Sequence, residues 1–496
     1  MQIMNLTPDM ENGIFSEKML DAVNPDGPVP EDAALKAYYY LQKDIEMAAG
    51  LKERLGHVPT ACVVTFGCQM NARDSEKLSG VLRRAGFVLT EDENADFLIY
   101  NTCTVRDNVD QRVFGRLGRA GHYKRNNPAM KIALCGCMMQ ESSNVDRIKK
   151  SYPFVDLIFG THNLYCFSEY LYRVYTQDEK IADIWDKSPQ IMEAMPSDRK
   201  YSYRSGVNIM LGCDKFCTYC IVPYVRGREK SRDPEEILCE IRALAADGVK
   251  EIMLLGQNVN SYGKDLGNEV TFASLIAKAA ETEGIERVRF MTPHPRDFGD
   301  DLIEVIKTHP KIARHIHLPM QSGSTAVLKR MNRQYTKEEF LELAYKIRRE
   351  LPDCSVTTDI IVGFPGETPE DVDDTIDVIE KVGFENAFTF IYSRRRGTPA
   401  ASMPSVMTQE EIGREFDRVL KTVQETAKMK AELLTGSVME ALAEEINAQD
   451  PSLITCRLSN NMIVHVPGDP SLIGSIIRVR LSECHGFYFF GEIAEG

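Results

Sequence analysis

The 496-residue chain has no apolar run approaching the 18 or so residues of a membrane span, and Met1 to Asp32 lacks the basic-then-apolar order of a signal peptide. The expectation is a soluble, cytoplasmic protein with no membrane partner. Cationic charge is also short, with 59 Lys and Arg against 73 Asp and Glu and a net charge of −14. A surface of that sign does not attract nucleic acid as a whole. The deficit lies mostly at the ends, since residues 1–58 and 434–496 each carry −5. Any RNA contact therefore falls to local basic clusters such as Arg112, Arg116 and Arg119, Lys124 and Arg125, Arg226 and Arg228, or Arg394 to Arg396, although each taken singly reads first as a solvated face. Cysteine, by contrast, is plentiful. Thirteen cysteines without an export signal point to metal or redox chemistry rather than disulfides.

Cys213, Cys217 and Cys220 fall in Gly212-Cys-Asp-Lys-Phe-Cys-Thr-Tyr-Cys220, with no fourth cysteine or histidine close by. Three thiolates hold three corners of a four-iron four-sulfur cluster and leave one iron open to a substrate or cofactor. The alternative is a zinc site borrowing a distant fourth ligand, although zinc ligands usually come in local pairs.

From about 59 to 165 one pattern occurs three times: an apolar run, a turn carrying a cysteine, then a helix. The runs are Ala61 to Phe66, Asp96 to Tyr100 and Lys131 to Leu134, followed by Cys68, Cys103 and Cys137. Leu78, Val81, Leu82 and Ala85 behind the first, and Val109, Val113 and Leu117 behind the second, have helical spacing. Such alternation predicts a parallel sheet whose helix-preceding strand ends share one edge. The three thiols should then converge and leave one iron of a second cluster open. Buried cysteines are often inert, which is the reading for Cys62 and for Cys135 within its apolar run.

Residues 1–58 read as an acidic extension with a helix from about Glu31 to Leu55, and 166–200, with the single tryptophan Trp185, as a connector. From 201 to 433 strand and helix alternate again. The strand candidates are Val207 to Leu211, Glu251 to Leu255, Arg287 to Met291, His315 to Leu318, Ser355 to Val362 and Ala387 to Tyr392. They fit a partial (β/α)6 barrel with chemistry at the carboxyl ends of its strands. Small and polar residues there, Gly256, Gln257, Gln321, Ser322 and Asp359, could cradle a cofactor, and each of them, like His294 between two prolines, reads equally as an ordinary turn residue. Residues 434–496 show five short strands broken by Gly, Pro, Asn and Asp, a small all-β barrel of oligonucleotide-binding type. Asn460, Asn461, His465 and the aromatics of Phe487 to Phe490 could read bases there.

The spacing of Cys213, Cys217 and Cys220, with Tyr219 before the last, resembles the radical S-adenosylmethionine superfamily. Gly67-Cys-Gln-Met-Asn71 with Asp74-Ser-Glu76, Asn101-Thr-Cys-Thr-Val-Arg106, Cys135-Gly-Cys-Met-Met-Gln140 and Ile360-Ile-Val-Gly-Phe-Pro-Gly-Glu-Thr368 extend the likeness to the methylthiotransferases. Within them the chain is most similar to the branch acting on N(6)-dimethylallyladenosine in tRNA. The resemblance implies an α/β architecture of parallel-sheet domain, radical barrel and C-terminal TRAM RNA-binding domain. It also implies two four-iron four-sulfur clusters, with Cys68, Cys103 and Cys137 holding the auxiliary one. Two S-adenosylmethionines per turnover, one methyl donor and one radical source, go with this reading. The implied partners are a tRNA anticodon stem-loop, an electron donor of flavodoxin or ferredoxin type and an iron–sulfur carrier for cluster repair. Sibling branches act on threonylcarbamoyl-adenosine or on a ribosomal-protein aspartate, and Gln69-Met70-Asn71 resembles the dimethylallyl branch. The reading of another class is a metal-containing RNA-binding protein without turnover.

Overall fold

The computed structural model describes residues 15–104, 107–188, 191, 193–267 and 269–494. By its contacts the chain forms two units: Met1–Tyr201, Gly206–Cys213 and Ile221–Glu240 make one, and Ser202–Ser205, Asp214–Cys220 and Ile241–Gly496 the other.

The first unit is built on a six-stranded sheet. Its strands are β1 (Thr60–Thr65), β2 (Val88–Leu89), β3 (Phe97–Thr102), β4 (Lys131–Gly136), β5 (Leu157–Phe159) and β6 (Ile181–Asp183), in the order β2-β1-β3-β4-β5-β6. All neighbours are parallel, which requires a crossover between strands. Helices Gln69–Ala85, Asp107–Asn126 and Ser142–Ser151 supply crossovers after β1, β3 and β4. The central strand β3 is buried along its whole length, and its side chains alternate between two cores. Phe97 and Ile99 pack with Leu78, Leu82 and Phe167, whereas Leu98 and Tyr100 pack with Val113, Leu117 and Ile148. Val105 and Arg106, quoted above in the third motif, and the side chain of Val109 lie outside the described residues.

Segments that read as extension and connector help to build this unit. Helix Ala33–Leu55 starts on Asp32, whose carboxylate accepts from the Ala34 and Leu35 amides at 2.9 Å, and ends at Gly56 with φ 75°. Its Tyr38, Leu41, Met47 and Leu51 join Met19 and Leu20 in the core on the Phe97 side. Helix Phe167–Thr176 adds Phe167, Leu171 and Val174 to the same core, and β6 extends the sheet beyond β5. A three-residue strand carries no measurable period, so its pairing was not legible.

The strand expected at Val207 to Leu211 breaks at Ile209 into β7 (Arg204–Asn208) and β8 (Met210–Leu211), and β8 pairs antiparallel with β9 (Lys230–Ser231). In the second unit β10 (Glu251–Leu255) pairs parallel with β11 (Arg287–Phe290). β12 (His315–His317), β13 (Ser355–Val362) and β14 (Asn386–Ile391) form a second parallel set. One parallel bridge, Val288 to Ile312, continues β11 toward β12, in the expected barrel succession. Helices Lys337–Glu350 and Pro369–Val382 begin with capping boxes at Thr336 and Thr368.

Beyond residue 434, β15 (Val438–Ile446), β16 (Leu453–Leu458), β17 (Ile463–Pro467), β18 (Ile476–Cys484) and β19 (Tyr488–Ile493) close into a barrel in the order β15-β16-β17-β19-β18. This barrel meets the amino-terminal ends of β11 and β13. Arg287 Nη1 and Arg289 Nη2 donate to the Arg457 and Leu458 carbonyls at 3.1 and 2.8 Å, and Ser355 Oγ donates to Asn460 O at 2.7 Å. Glu251 pairs with Arg289 at 2.9 Å beneath them, and Glu444 with Arg457 at 2.8 Å. Among the described residues, no helix is long and apolar enough to cross a membrane.

Candidate active site

Register brings the three thiols of the first unit together. Thr65 is paired with Asn101, and Thr102 with Gly136, so these three strands end side by side. Cys103 and Cys137 follow the paired Thr102 and Gly136 directly, and Cys68 lies three residues beyond Thr65, at the N-terminus of helix Gln69–Ala85. Neighbouring strands run about 4.8 Å apart, which converts separations of 35 and 34 residues into adjacency. Cys68 is exposed, while Cys103 and Cys137 are buried. Burial pushes the Cys137 thiol up to about 12, with the Arg226 guanidinium opposing and the Cys103 and Cys68 sulfurs adding to the rise.

The edge is held by amides. Asn71 Nδ2 donates to Asn101 Oδ1 and Thr102 O, both at 3.1 Å, and Asn101 Nδ2 donates back to Asn71 O at 2.8 Å. Cys68 Sγ donates to Asn71 Oδ1 at 3.3 Å. Gly67 has φ 152°, and a β-carbon there would stand 2.7 Å from both Asn71 Oδ1 and Cys103 Cβ. Only glycine lets the strand end approach so closely. Arg226, offered above as part of an RNA-facing cluster, is instead buried in this unit. Its Nε donates to Cys137 Sγ at 3.0 Å and its Nη2 to Asp74 Oδ2 at 3.0 Å. Cys62 and Cys135 lie inside β1 and β4, and burial raises both thiols, Cys62 to about 11.

Of the second cysteine motif, Cys213 belongs to the first unit, where its amide donates to Gly227 O at 3.1 Å. Cys217 and Cys220 belong to the second unit, on a loop clasped by residues 330–332. Thr218 N donates to Met331 O at 3.0 Å, Thr218 Oγ1 to Arg330 O at 2.9 Å and Asn332 Nδ2 to Phe216 O at 3.1 Å. Tyr219 meets Phe364 edge-on at 6.4 Å. Arg333 Nη1 reaches Cys217 Sγ at 3.6 Å while its Nε and Nη2 donate to Tyr335 Oη at 2.9 Å and Pro319 O at 2.8 Å.

Four candidate cofactor contacts lie toward the carboxyl side of the second unit's strands. Gly256 and Gln257 follow β10, and Gly256 O accepts from Thr292 Oγ1 at 2.8 Å, a link to the end of β11. Gln321 has φ 71° and is bonded through its backbone to Asp359 O at 2.8 Å and Ile361 N at 2.9 Å. Asp359 carboxylate faces His317 Nε2 at 3.3 Å. Ser322 is fully buried with its hydroxyl toward Thr375 Oγ1 and Ser324 N, so it supports the turn that carries Gln321. His294 sits at the start of a short helical turn, and burial, with Arg333 and Lys215 adding to it, lowers the ring to about 2. Arg226, Asp74 and Arg333 were missed as site residues. Asp74 lay in a quoted motif without a role, Arg226 looked like a surface cation, and nothing marked Arg333.

Among the described residues, no three His, Cys, Asp or Glu side chains are set to hold a single metal ion. A cubane cluster spreads its ligands over several irons, and the donor chemistry suits it: three thiols from converging strand ends and a buried cation against one sulfur.

Over residues 207–379 the chain matches the Radical SAM superfamily, over 60–160 the Uncharacterized protein family UPF0004, and over 432–494 the TRAM domain. The fold and the cysteine loop thus define a radical S-adenosylmethionine enzyme. A solved radical S-adenosylmethionine methyltransferase from Kitasatospora setae shares this fold at a TM-score of 0.51, with 12% identity over 69% of this chain and 77% of that one. Three relatives bear the name tRNA-2-methylthio-N(6)-dimethylallyladenosine synthase. That from Lachnoclostridium phytofermentans is 55% identical over 89% of this chain and 97% of its own. Those from Acetivibrio thermocellus and Clostridium perfringens are 46% and 47% identical over 94% and 88% of this chain, and 97% of their own lengths. The chain belongs to the tRNA-2-methylthio-N(6)-dimethylallyladenosine synthase family.

Proposed function

We propose that this enzyme inserts a methylthio group at carbon 2 of N(6)-dimethylallyladenosine beside the anticodon of tRNA. The observation that carries the reading is the meeting of Cys68, Cys103 and Cys137 at in-register strand ends, in a chain that also bears the Cys213, Cys217 and Cys220 motif. We assign one four-iron four-sulfur cluster to each set, and to the chain the domains 1–58, 59–165, 166–200, 201–433 and 434–496. Two S-adenosylmethionines per turnover fit two clusters, each with an open iron.

An aromatic carbon–hydrogen bond has no acidic proton for a base to take; bound at an iron–sulfur cluster, S-adenosylmethionine supplies the radical reactivity that no side chain here offers. The protein's part is to bind, orient and exclude water. Gly256 and Gln257, Gln321 on the turn held by Ser322, and Asp359 beside His317 are assigned to cofactor binding. Asn71 and Asn101 hold Cys68 and the ends of β1 and β3 in place. On the C-terminal barrel the rings of His465, His485, Tyr488 and Phe490 cluster, with His485 and Tyr488 stacked at 5.3 Å and His465 at 5.8 Å from Phe490. Such a surface suits stacking on unpaired bases, which supports RNA contact despite the −5 charge of residues 434–496. An electron donor of flavodoxin or ferredoxin type and an iron–sulfur carrier complete the proposal.

The test is an anaerobic assay with two anticodon stem-loops that differ only in the dimethylallyl group. Burying that group is worth on the order of 1 to 3 kcal/mol, so thiolation of the modified loop is expected to be at least about tenfold faster. Equal rates, or preference for a threonylcarbamoyl loop, would move the chain to a sibling branch.

A further inference from the structure

Arg226 is 7% exposed and Asp74 is 6% exposed. A guanidinium so buried is strongly disfavoured unless it is paired and hydrogen-bonded. Its partners are one carboxylate oxygen, Asp74 Oδ2, and one sulfur, Cys137 Sγ, both at 3.0 Å. Asp74 stands on the helix that begins at Cys68, so a single side chain ties that helix to the thiol after β4. Ile221 and Val225 pack on Cys137 and keep the pair dry. A dry donor aimed at a sulfur stabilises negative charge there, and hydrogen bonds to sulfur together with local net charge set the potential of an iron–sulfur cluster.

Resting on the reading of Cys68, Cys103 and Cys137 as cluster ligands, we infer that Arg226 is a positioning residue that makes the auxiliary cluster easier to reduce by donating to the Cys137 sulfur, with Asp74 as its counterweight. The two charges then act with opposite sign. Loss of the guanidinium removes a donor and a cation and disfavours the electron-rich state. Loss of the Asp74 charge leaves Arg226 less compensated and favours that state.

The experiment uses the full chain, reconstituted with iron and sulfide, with Cys213, Cys217 and Cys220 all replaced by Ala so that only the auxiliary cluster reports. Its midpoint is read by potentiometric titration with paramagnetic resonance of the reduced cluster. Arg226→Gln is expected to lower the reduced-to-oxidised ratio at fixed potential at least tenfold, about 59 mV for one electron. Asp74→Asn is expected to move the midpoint the other way, and Arg226→Lys to fall between Gln and the parent. With about four irons bound, a midpoint unchanged in Arg226→Gln, or shifts of the same sign in Arg226→Gln and Asp74→Asn, overturn the inference, because a purely structural role would alter unfolding alone. Should Arg226→Gln fail to hold iron, the sign in Asp74→Asn and Arg226→Lys decides. A parent background that binds no iron overturns the ligand reading itself, and this inference with it.

Discussion

Cys137 in the first unit and Cys217 in the second each face a buried arginine, but the two arginines are held by different partners. Arg226 shares its charge with the Asp74 carboxylate, whereas Arg333 donates to a tyrosine hydroxyl and a backbone carbonyl, both neutral. The pair at Cys137 is close to neutral before any ligand binds, and the group at Cys217 keeps a positive charge. Beside Arg333, His294 is driven to its neutral form, first by burial and then by Arg333 and Lys215. Lys215 has its own carboxylate: burial alone would raise Asp297, but its bonds to Lys215 and Lys264 hold it below the usual range. The same sulfur chemistry can thus be set in surroundings of different net charge by the choice of partner for one guanidinium.

The widest separation between the two regions is expected from removing the thiols. Reconstituted protein should hold about eight irons, and either triple Cys→Ala variant about four. Without Cys68, Cys103 and Cys137, cleavage of S-adenosylmethionine should continue while methylthio transfer to RNA stops. Loss of all iron from a folded single-set variant would show that the sites are not independent. Next comes the arginine pair. Arg333→Gln should lower the midpoint of the cluster at Cys213, Cys217 and Cys220 as Arg226→Gln lowers the other, and by less, because its donor stands 3.6 Å rather than 3.0 Å from sulfur. An equal or larger shift at Arg333 would mean that donor distance does not set the effect.

A third difference is pH dependence. Tyr219 leans on Phe364, in a turn where the Gly363 amide donates to the Glu367 carboxylate. Burial raises Glu367 from 4.5 to about 8. A carboxyl raised in the folded state adds stability that is complete below its unfolded value and is lost as pH rises through the folded one. Between about pH 4.5 and 8 the native state should lose up to about 1.4 kcal/mol per unit from this group. Glu367→Gln should therefore flatten the fall in unfolding temperature over that window, and parallel profiles of parent and variant would refute the assignment. The smallest effect belongs to Cys135→Ala, which empties part of a strand core without touching the thiol edge. It should cost about 1 kcal/mol of stability and leave iron content unchanged.

The C-terminal barrel alters how its RNA role can be tested. Carbonyls within residues 457–460 accept from Arg287, Arg289 and Ser355 at the amino-terminal strand ends. Deleting residues 434–496 would strip partners from those buried cations, so single replacements of Tyr488 or His485 on the ring cluster separate RNA binding from stability better than truncation.

Local regularities needed only the chain itself. Period-two and period-3.6 patterns, caps such as Thr336 with Glu339 and Thr368 with Pro369, and short strands broken by turn residues all depend on neighbours a few positions apart. The cysteine spacing at Cys213 to Cys220 belongs with them, as does the placing of Cys68, Cys103 and Cys137 after apolar runs. The partners of those thiols were decided by the tertiary structure. Cys137 and Arg226 are 89 residues apart, and Asp74 and Arg226 are 152 apart. A basic residue in sequence looks the same whether solvated or buried, because its burial depends on which carboxylate and which sulfur the packed elements bring to it. β6 and the seat of the C-terminal barrel were hidden for a related reason: a three-residue strand and a row of backbone carbonyls carry no side-chain pattern, and only the hydrogen-bond partners available after folding give them a place.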